Sequence, residues 1–144
     1  MNFRKLNDFI SVRSLKFEEA ELVTSEWKYS NETTLEYVKY LIRNAPAICA
    51  VDTRNNAVAG WVLVQHYGAI GMLNVLPEYR GQGLAQLLVQ RLTDELQSRG
   101  LSSFAYIELE NDPSFRVFEK SGFAVGSTDV CFADYIPQGM AGDR

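Results

Sequence analysis

The sequence contains a single histidine, His66, and two cysteines, Cys49 and Cys131, which lie far apart along the chain. A zinc site made of cysteine and histidine needs four such ligands, and a two-histidine metal site needs a second histidine. A serine–histidine–aspartate triad would have to use His66, and no nucleophile-elbow motif accompanies it. Both cysteines lie in apolar, strand-like runs, so we expect buried thiols and no disulfide. The sequence therefore predicts no metal site.

Positive charge and long apolar runs are also scarce. Lysine and arginine number 14 against 18 aspartate and glutamate residues, for a net charge of −4. Binding to nucleic acid requires clustered basic side chains that displace counterions, and the sequence has no long basic run. No stretch approaches the roughly 20 apolar residues that span a bilayer, and the N-terminus has no apolar signal region. We expect an intracellular protein, cytoplasmic or mitochondrial, with neither nucleic acid nor a membrane as its partner. Its oligomeric state is left open.

The content of apolar residues is that of a globular domain. Hydrophobic residues make up 47% of the 144 positions, which suffices for a core in one domain of ordinary size. We expect this domain over residues 1–136, followed by a flexible tail over 137–144.

The periodicity of apolar residues predicts an α+β protein with a mixed, mostly antiparallel sheet of about six to seven strands and helices on both faces. Helical spacing occurs over 17–27, 33–42, 84–99 and 112–120, and strand-like runs occur over 9–15, 47–51, 57–66, 70–75, 103–109 and 123–136. The run over 123–136 fits one bent strand or two. Asn31 or Thr33 can cap the second helix, and Asn111 or Asp112 the last.

A glycine-rich segment between the strand over 70–75 and the helix over 84–99 carries the clearest chemical signal. It reads Arg80-Gly81-Gln82-Gly83-Leu84-Ala85. The N–H groups that begin a helix lack partners within it and lie at the positive end of its dipole. Gly81 and Gly83 leave space for a large anion beside the backbone. The segment therefore predicts a phosphate or pyrophosphate cradle, although it lacks the nucleoside-triphosphate and dinucleotide motifs.

Two motifs in this order resemble the GNAT (GCN5-related N-acetyltransferase) superfamily. Val75-x-Pro77 followed by Arg80-x-x-Gly83-x-Ala85 resembles its coenzyme A loop. Asn111-x-x-Ser114-x-x-x-Phe118-x-x-x-Gly122-Phe123 resembles its second motif, Asn-x-x-Ala-x-x-x-Tyr-x-x-x-Gly-Phe. The words over 76–84 and 118–123 are most similar to the C-terminal domain of the glycine N-acyltransferase family, and the similarity covers roughly residues 10–136.

The resemblance implies a GNAT-like sheet and an acyl-CoA co-substrate, acetyl-CoA or a larger one, with no metal. The implied reaction is attack by the amine of glycine, or of another small molecule, on the thioester. Leu73 and Val75 would pair with the pantetheine through their backbone N–H groups, and the N–H of Val75 could face the thioester oxygen. The implied pyrophosphate cradle is the backbone of Arg80, Gly81, Gln82, Gly83, Leu84 and Ala85, and Asn111 and Ser114 would contact the pantetheine side.

The sequence departs from the family at both proton-transfer positions. Ala69 lies about where glycine N-acyltransferases have a glutamate base, and Phe118 replaces the tyrosine acid of the second motif. Glu108 or Glu110 could serve as the base through water, and Tyr106 as the acid. Each of these also fits a solvated or core position.

Three hypotheses follow from these residues. The first is the N-acyltransferase acting on glycine or another small amine. The second is a coenzyme A-binding module with weak or no turnover that acts in regulation or protein interaction, as the departures at Ala69 and Phe118 indicate. The third keeps the chemistry but uses the amine of a peptide or protein. Arg116 and Lys120 fit either a contact with the coenzyme's ribose phosphate or a solvated helix face.

Overall fold

A seven-stranded sheet organises the protein, and the computed structural model describes residues 8–108, 110–127 and 131–135. The strands follow the order β1-β2-β3-β4-β5-β7-β6 across the sheet. Their bounds are β1 Ile10–Ser14, β2 Ala47–Asp52, β3 Ala57–Val64, β4 Ile70–Val75, β5 Phe104–Ile107, β6 Phe123–Ser127 and β7 Cys131–Tyr135. All neighbouring strands are antiparallel except β4 and β5, which are parallel. The predicted mixed, mostly antiparallel sheet is confirmed.

Within the described residues, four α-helices cover this sheet. They are α1 Ala20–Ser25, α2 Thr34–Asn44, α3 Leu84–Ser98 and α4 Asp112–Lys120, and short 3-10 turns occur at Phe17–Glu19 and Pro77–Tyr79. No described helix combines the length and the apolar character needed to cross a bilayer. No group of three or more metal-ligating side chains occurs among the described residues.

The helices lie on opposite faces of the sheet, as predicted. On one face, α3 contributes Leu84, Leu88 and Leu92 to a core shared with β2, β3, β4 and β5. On the other, Val23 of α1 and Leu41 of α2 pack in a second core shared mainly with β2 and β3. A fully buried leucine contributes about 1.5–3 kcal/mol through the area removed from water, so the two cores together stabilise the central strands.

Several predicted boundaries differ from the observed ones. The predicted helix over 17–27 is a 3-10 turn followed by α1, because Glu19 turns back to accept the Lys16 N–H and the Arg13 guanidinium. β5 covers only Phe104–Ile107, so the predicted strand over 103–109 was too long. The run over 123–136 forms two strands, β6 and β7, which pair with each other.

Cys49 is fully buried on β2, and burial raises the pKa of its thiol to about 11. It therefore behaves as a small apolar side chain, as predicted. The Cys131 side chain and the predicted tail over 137–144 lie outside the described part of the molecule.

Candidate active site

The glycine-rich loop joins the end of β4 to the start of α3. The loop contains two glycines in the left-handed region, Gly81 with φ +76° and Gly83 with φ +83°, and Gly83 is the residue that caps α3. A residue with a Cβ would be strained at both positions. With glycine there, the backbone turns sharply enough to present the first N–H groups of α3 to the space above the loop.

A cavity of about 300 Å³ opens at this loop, and we call it the loop cavity. One wall is the loop and the first turn of α3, and the other is the outward face of α4. Its lining residues are Val75, Tyr79, Arg80, Gly81, Gly83, Leu84, Ala85, Gln86, Pro113, Arg116, Val117 and Lys120. The cavity thus brings together five of the six predicted cradle residues, Gln82 being outside the lining, and adds two cationic side chains from α4.

The Arg80 side chain is turned toward the strand end. Its Nε donates to the Val75 carbonyl at 2.7 Å, and its Nη2 lies 3.4 Å from Oδ1 of Asn74. These contacts hold the loop against the end of β4. The guanidinium therefore joins the loop to the end of β4.

The two parallel strands diverge beyond their first residues. In the described residues, β4 and β5 pair at one position, Ile70 with Ala105. Beyond it, the edge of β4 that faces β5 has no strand against it, so its backbone groups are open to an extended ligand. Among the described residues, the two strands therefore leave a gap between them.

A bulge in β4 lies at this gap. The register between β3 and β4 shifts by one residue between the Trp61–Asn74 and Leu63–Gly71 pairs, so Met72 and Leu73 stand opposite a single residue of β3. Met72 adopts a left-handed conformation with φ +54°. Non-glycine residues rarely adopt this conformation, and bulges redirect backbone groups beside active sites. The bulge changes the direction of the N–H groups on both sides of it.

A second cavity, of about 150 Å³, lies where the strands diverge, and we call it the strand-gap cavity. Its lining residues are Trp27, Lys28, Tyr29, Ile70, Gly71, Met72, Leu73, Tyr106, Ile107, Glu108, Asn111, Ser114 and Phe118. It brings together the predicted pantetheine contacts Leu73, Asn111 and Ser114 with the predicted proton-transfer candidates Tyr106 and Glu108.

Glu108 follows the end of β5 and was wrongly placed on the strand by the sequence pattern. Its Oε1 accepts the hydroxyl hydrogen of Tyr29 at 2.9 Å. Tyr29 lies between α1 and α2, so this bond links the two sides of the strand-gap cavity. Glu110, the other candidate base, lies in an exposed turn and does not line the cavity.

Tyr29 is the site residue that sequence reasoning missed. Its ring meets Trp27 edge-on at 5.5 Å between centroids, and the Lys28 ammonium lies 4.8 Å from the centre of the Tyr29 ring. The segment Trp27-Lys28-Tyr29 offered a signal, because two aromatic residues flanking a cation at the end of a short helix suit a recognition surface. Its contact with residue 108 depends on tertiary packing.

Asn111 begins α4 and caps it. Its Oδ1 accepts the Ser114 N–H at 3.2 Å, which confirms the predicted cap and engages the amide oxygen within the helix. Its side-chain NH₂ group is the part suited to donate to a ligand. Ser114 is half-buried one turn into the helix and faces the strand-gap cavity.

Ala69 and Phe118 occupy buried positions. Ala69 is 1% exposed at the start of β4, and Phe118 is 3% exposed, with its ring edge-on to Phe123 at 5.1 Å between centroids. Phe118 lines the strand-gap cavity with a ring that has no hydroxyl. Neither side chain can transfer a proton.

The single histidine belongs to an aromatic group beside this site. The Tyr37 hydroxyl donates its hydrogen to Oε1 of Gln65 at 2.7 Å. Its oxygen lies 2.8 Å from Nδ1 of His66. The ring of Tyr67 meets that of His66 edge-on and lies 6.1 Å from that of Tyr106. Burial raises the pKa of Tyr67. His66 is outside the lining of both cavities.

Comparison with known proteins adds sequence and fold relationships. A model of the FR47-like protein family matches residues 48–132, more than half of the chain. Glycine N-acyltransferase from Bos taurus is 27% identical over 105 residues, which cover 72% of this chain and 35% of the relative. The same enzyme from Mus musculus is 29% identical over the same shares. The chain therefore spans about a third of the length of these curated relatives.

The fold is shared with solved acetyltransferase structures. Arabidopsis thaliana NAA60 in complex with acetyl-CoA superposes with a TM-score of 0.76 at 14% identity, over 89% of this chain and 99% of that chain. At this identity the likeness concerns the fold.

Proposed function

Because the chain belongs to the FR47-like family within the GNAT superfamily, we propose that it is an acyl-CoA-dependent N-acyltransferase. It moves an acetyl or larger acyl group from coenzyme A to the amine of glycine or another small molecule. The observation that carries the proposal is the gap between the parallel strands β4 and β5, which opens beside the glycine-rich loop. The similarity to glycine N-acyltransferase supports the acceptor class, and the shared fold with a structure in complex with acetyl-CoA supports the donor.

In this proposal the loop cavity and the gap receive different parts of the coenzyme. The backbone N–H groups of 80–85 bind the pyrophosphate at the positive end of α3. The free edge of β4 at Leu73 and Val75 pairs with the pantetheine amides, as an added strand would. The side-chain NH₂ group of Asn111 and the hydroxyl of Ser114 approach the pantetheine from α4. The thioester supplies the activated acyl group.

The chemistry takes place in the strand-gap cavity. An acceptor amine is mostly protonated at neutral pH, so a group must remove its proton before attack. Glu108 takes that proton, directly or through one water. Val75 lines the neighbouring loop cavity at the end of β4, and from there its N–H faces the carbonyl oxygen and stabilises the charge that develops on it. The new N–C bond forms as the C–S bond breaks, and the departing sulfur receives a proton from the Tyr106 hydroxyl. The second proton of the nitrogen, which is released as the amide forms, passes through water to the Tyr106 oxygen and restores its hydroxyl.

The Tyr29 hydroxyl orients the base. By donating to Oε1 of Glu108, it leaves Oε2 to face the acceptor. It also joins the segment between α1 and α2 to the end of β5, on the two sides of the acceptor. We assign Tyr29 a positioning role, because it acts through Glu108.

The test is thiol release from acetyl-CoA and benzoyl-CoA with glycine and a panel of small amines. The Glu108→Gln variant is expected to lower kcat by about 10²–10⁴-fold, the usual contribution of a general base, while the Kd of coenzyme A stays within about two-fold. Glu119→Gln on the exposed side of α4 removes the same charge outside the cavity and controls for net charge. A Glu108→Gln enzyme with wild-type kcat, or a loss of equal size in Glu119→Gln, would refute the assignment.

A second candidate function is a coenzyme A-binding module without turnover. The observation that favours it is the replacement of both family proton-transfer groups by the buried side chains of Ala69 and Phe118. Coenzyme A binding by calorimetry without thiol release from any donor and acceptor pair would support this function. Turnover that disappears in Glu108→Gln would exclude it.

A further inference from the structure

A buried carboxylate lies beside the glycine-rich loop. Asp52 is the last residue of β2, and only 2% of its surface is exposed. Its Oδ1 accepts the backbone N–H and the Nε–H of Arg54, each at 3.0 Å. Its Oδ2 accepts Nη2 of Arg54 at 3.0 Å and the hydroxyl hydrogen of Tyr79 at 2.9 Å. Four hydrogen bonds to one buried carboxylate hold the side chains of Arg54 and Tyr79 in one arrangement around Asp52.

Tyr79 belongs to the loop itself. It ends the 3-10 turn that follows β4 and lies two residues before Gly81, and its side chain lines the loop cavity. Its hydroxyl reaches out of the loop to Asp52, at the end of the hairpin formed by β2 and β3. The Leu76 N–H makes a second link to this hairpin by donating to the Ala59 carbonyl at 2.8 Å.

The loop needs such an anchor. The segment from Gly81 to Gly83 has two left-handed glycines, the residue type that loses most conformational freedom when a chain is ordered. An added Cβ at Gly81 would meet nothing within 4 Å, so the space beside this residue is open and no neighbour packs there. The contacts that fix it come from the residues on either side, Tyr79 and Arg80 before it and α3 after it.

We propose that Asp52, Arg54 and Tyr79 form a latch that fixes the glycine-rich loop in the conformation that receives a coenzyme's pyrophosphate. The inference rests on the proposed function and assigns Tyr79 as a positioning residue. Because the Tyr79 hydroxyl is engaged by Asp52, it acts on the loop backbone and does not touch the phosphates. Because the latch orders the loop before the ligand binds, less binding free energy is spent on ordering it. Loss of the latch therefore weakens the binding of the pyrophosphate specifically.

The charge state of the latch suits this role. The Arg54 hydrogen bonds, with smaller help from Tyr79, lower the pKa of Asp52 to about 2. The carboxylate is therefore ionised throughout the neutral range, and a charged acceptor makes the bond from the Tyr79 hydroxyl stronger than one between neutral groups.

The test uses Tyr79→Phe, which keeps the ring and removes the hydroxyl. Its matched control is Tyr40→Phe on the exposed side of α2. Calorimetry compares coenzyme A with pantetheine, which lacks the pyrophosphate. Tyr79→Phe is expected to raise the Kd of coenzyme A by about 10-fold and that of pantetheine by less than two-fold. Hydrogen exchange of the ligand-free protein should be about 10-fold faster over 76–83 and unchanged in α2.

The outcomes separate the latch from the proposed function. Equal weakening of both ligands, or unchanged exchange over 76–83, would overturn the latch. Failure of the wild-type protein to bind coenzyme A would overturn the proposed function, and the exchange measurement would then still decide whether the latch orders the loop. Asp52→Asn also weakens the hydrogen bond between Tyr79 and residue 52, and it replaces Tyr79→Phe in the test if that variant does not fold.

Discussion

Two glycines at opposite ends of α3 allow the effect of backbone strain to be separated from an effect on binding. Gly81 has φ +76° and Gly100 has φ +73°, and an added Cβ would meet nothing within 4 Å at either position. Gly81 lines the loop cavity, whereas Gly100 follows the far end of the helix. Gly81→Ala and Gly100→Ala therefore introduce the same methyl group with the same strain, and only one of them does so at the candidate site.

The expected effect on stability is the same for both variants. A left-handed conformation costs a residue with a Cβ about 1–2 kcal/mol. In a domain of this size each kcal/mol lowers Tm by about 2–4 °C, so both alanine variants should melt roughly 2–8 °C below the wild type. Differential scanning calorimetry measures this cost directly.

The expected effect on binding differs between the two variants. Gly81 lines the cavity proposed for the pyrophosphate, so we expect its methyl group in Gly81→Ala to displace a phosphate oxygen from the backbone. Loss of one hydrogen bond to a charged group costs about 1.5–3 kcal/mol. The Kd of coenzyme A should therefore rise roughly 10- to 100-fold in Gly81→Ala and stay within about two-fold of wild type in Gly100→Ala. Equal Kd values for the two variants, measured by calorimetry well below both Tm values, would refute the placement of the pyrophosphate.

Two further predictions concern charges around the same loop. Arg116→Gln and Lys120→Gln should each raise the Kd of coenzyme A by about 2- to 5-fold at low salt, because an exposed ion pair contributes little and is screened by salt. The Kd of dephospho-coenzyme A, which lacks the ribose phosphate, should not change. Equal effects on both ligands would show that these side chains do not contact the ribose phosphate. The lowered pKa of Asp52 means that its contribution to stability is complete above about pH 4 and is lost as the pH falls toward 2. The difference in stability between wild type and Asp52→Asn should therefore shrink between pH 4 and 2 in urea titrations, and a constant difference would contradict this.

The sequence predicted those helices and loops whose conformation is determined by residues close together in the chain. The spacing of Leu84, Leu88 and Leu92 predicted α3, because a helix that packs on a sheet needs one apolar face. The pair Asn111 or Asp112 predicted the cap of α4, and Asn111 is the residue that caps it. The glycine-rich loop could be located because its backbone adopts left-handed conformations at Gly81 and Gly83, and such conformations favour glycine.

Features that depend on two distant segments were not predicted. The bond between Tyr29 and Glu108 joins residues 79 positions apart, and the bond between Tyr79 and Asp52 joins residues 27 apart. Neither residue type identifies its partner, since a tyrosine hydroxyl can donate to any acceptor nearby. The left-handed Met72 escaped prediction for the same reason, because its bulge is a property of the register between β3 and β4.

The two halves of the candidate site therefore rest on different kinds of information. The loop cavity is built from two continuous segments, 75–86 and 113–120. The strand-gap cavity draws on the segment between α1 and α2, β4, β5 and α4, so substitutions in its lining can leave the glycine-rich loop unaltered. Ala69 lines neither cavity. At 1% exposure it is part of the packed interior, and a carboxylate there would be buried at a cost of several kcal/mol. An exposed carboxylate that lines the strand-gap cavity avoids this cost. Glu108 is such a carboxylate, and the Tyr29 hydroxyl already donates a hydrogen bond to it.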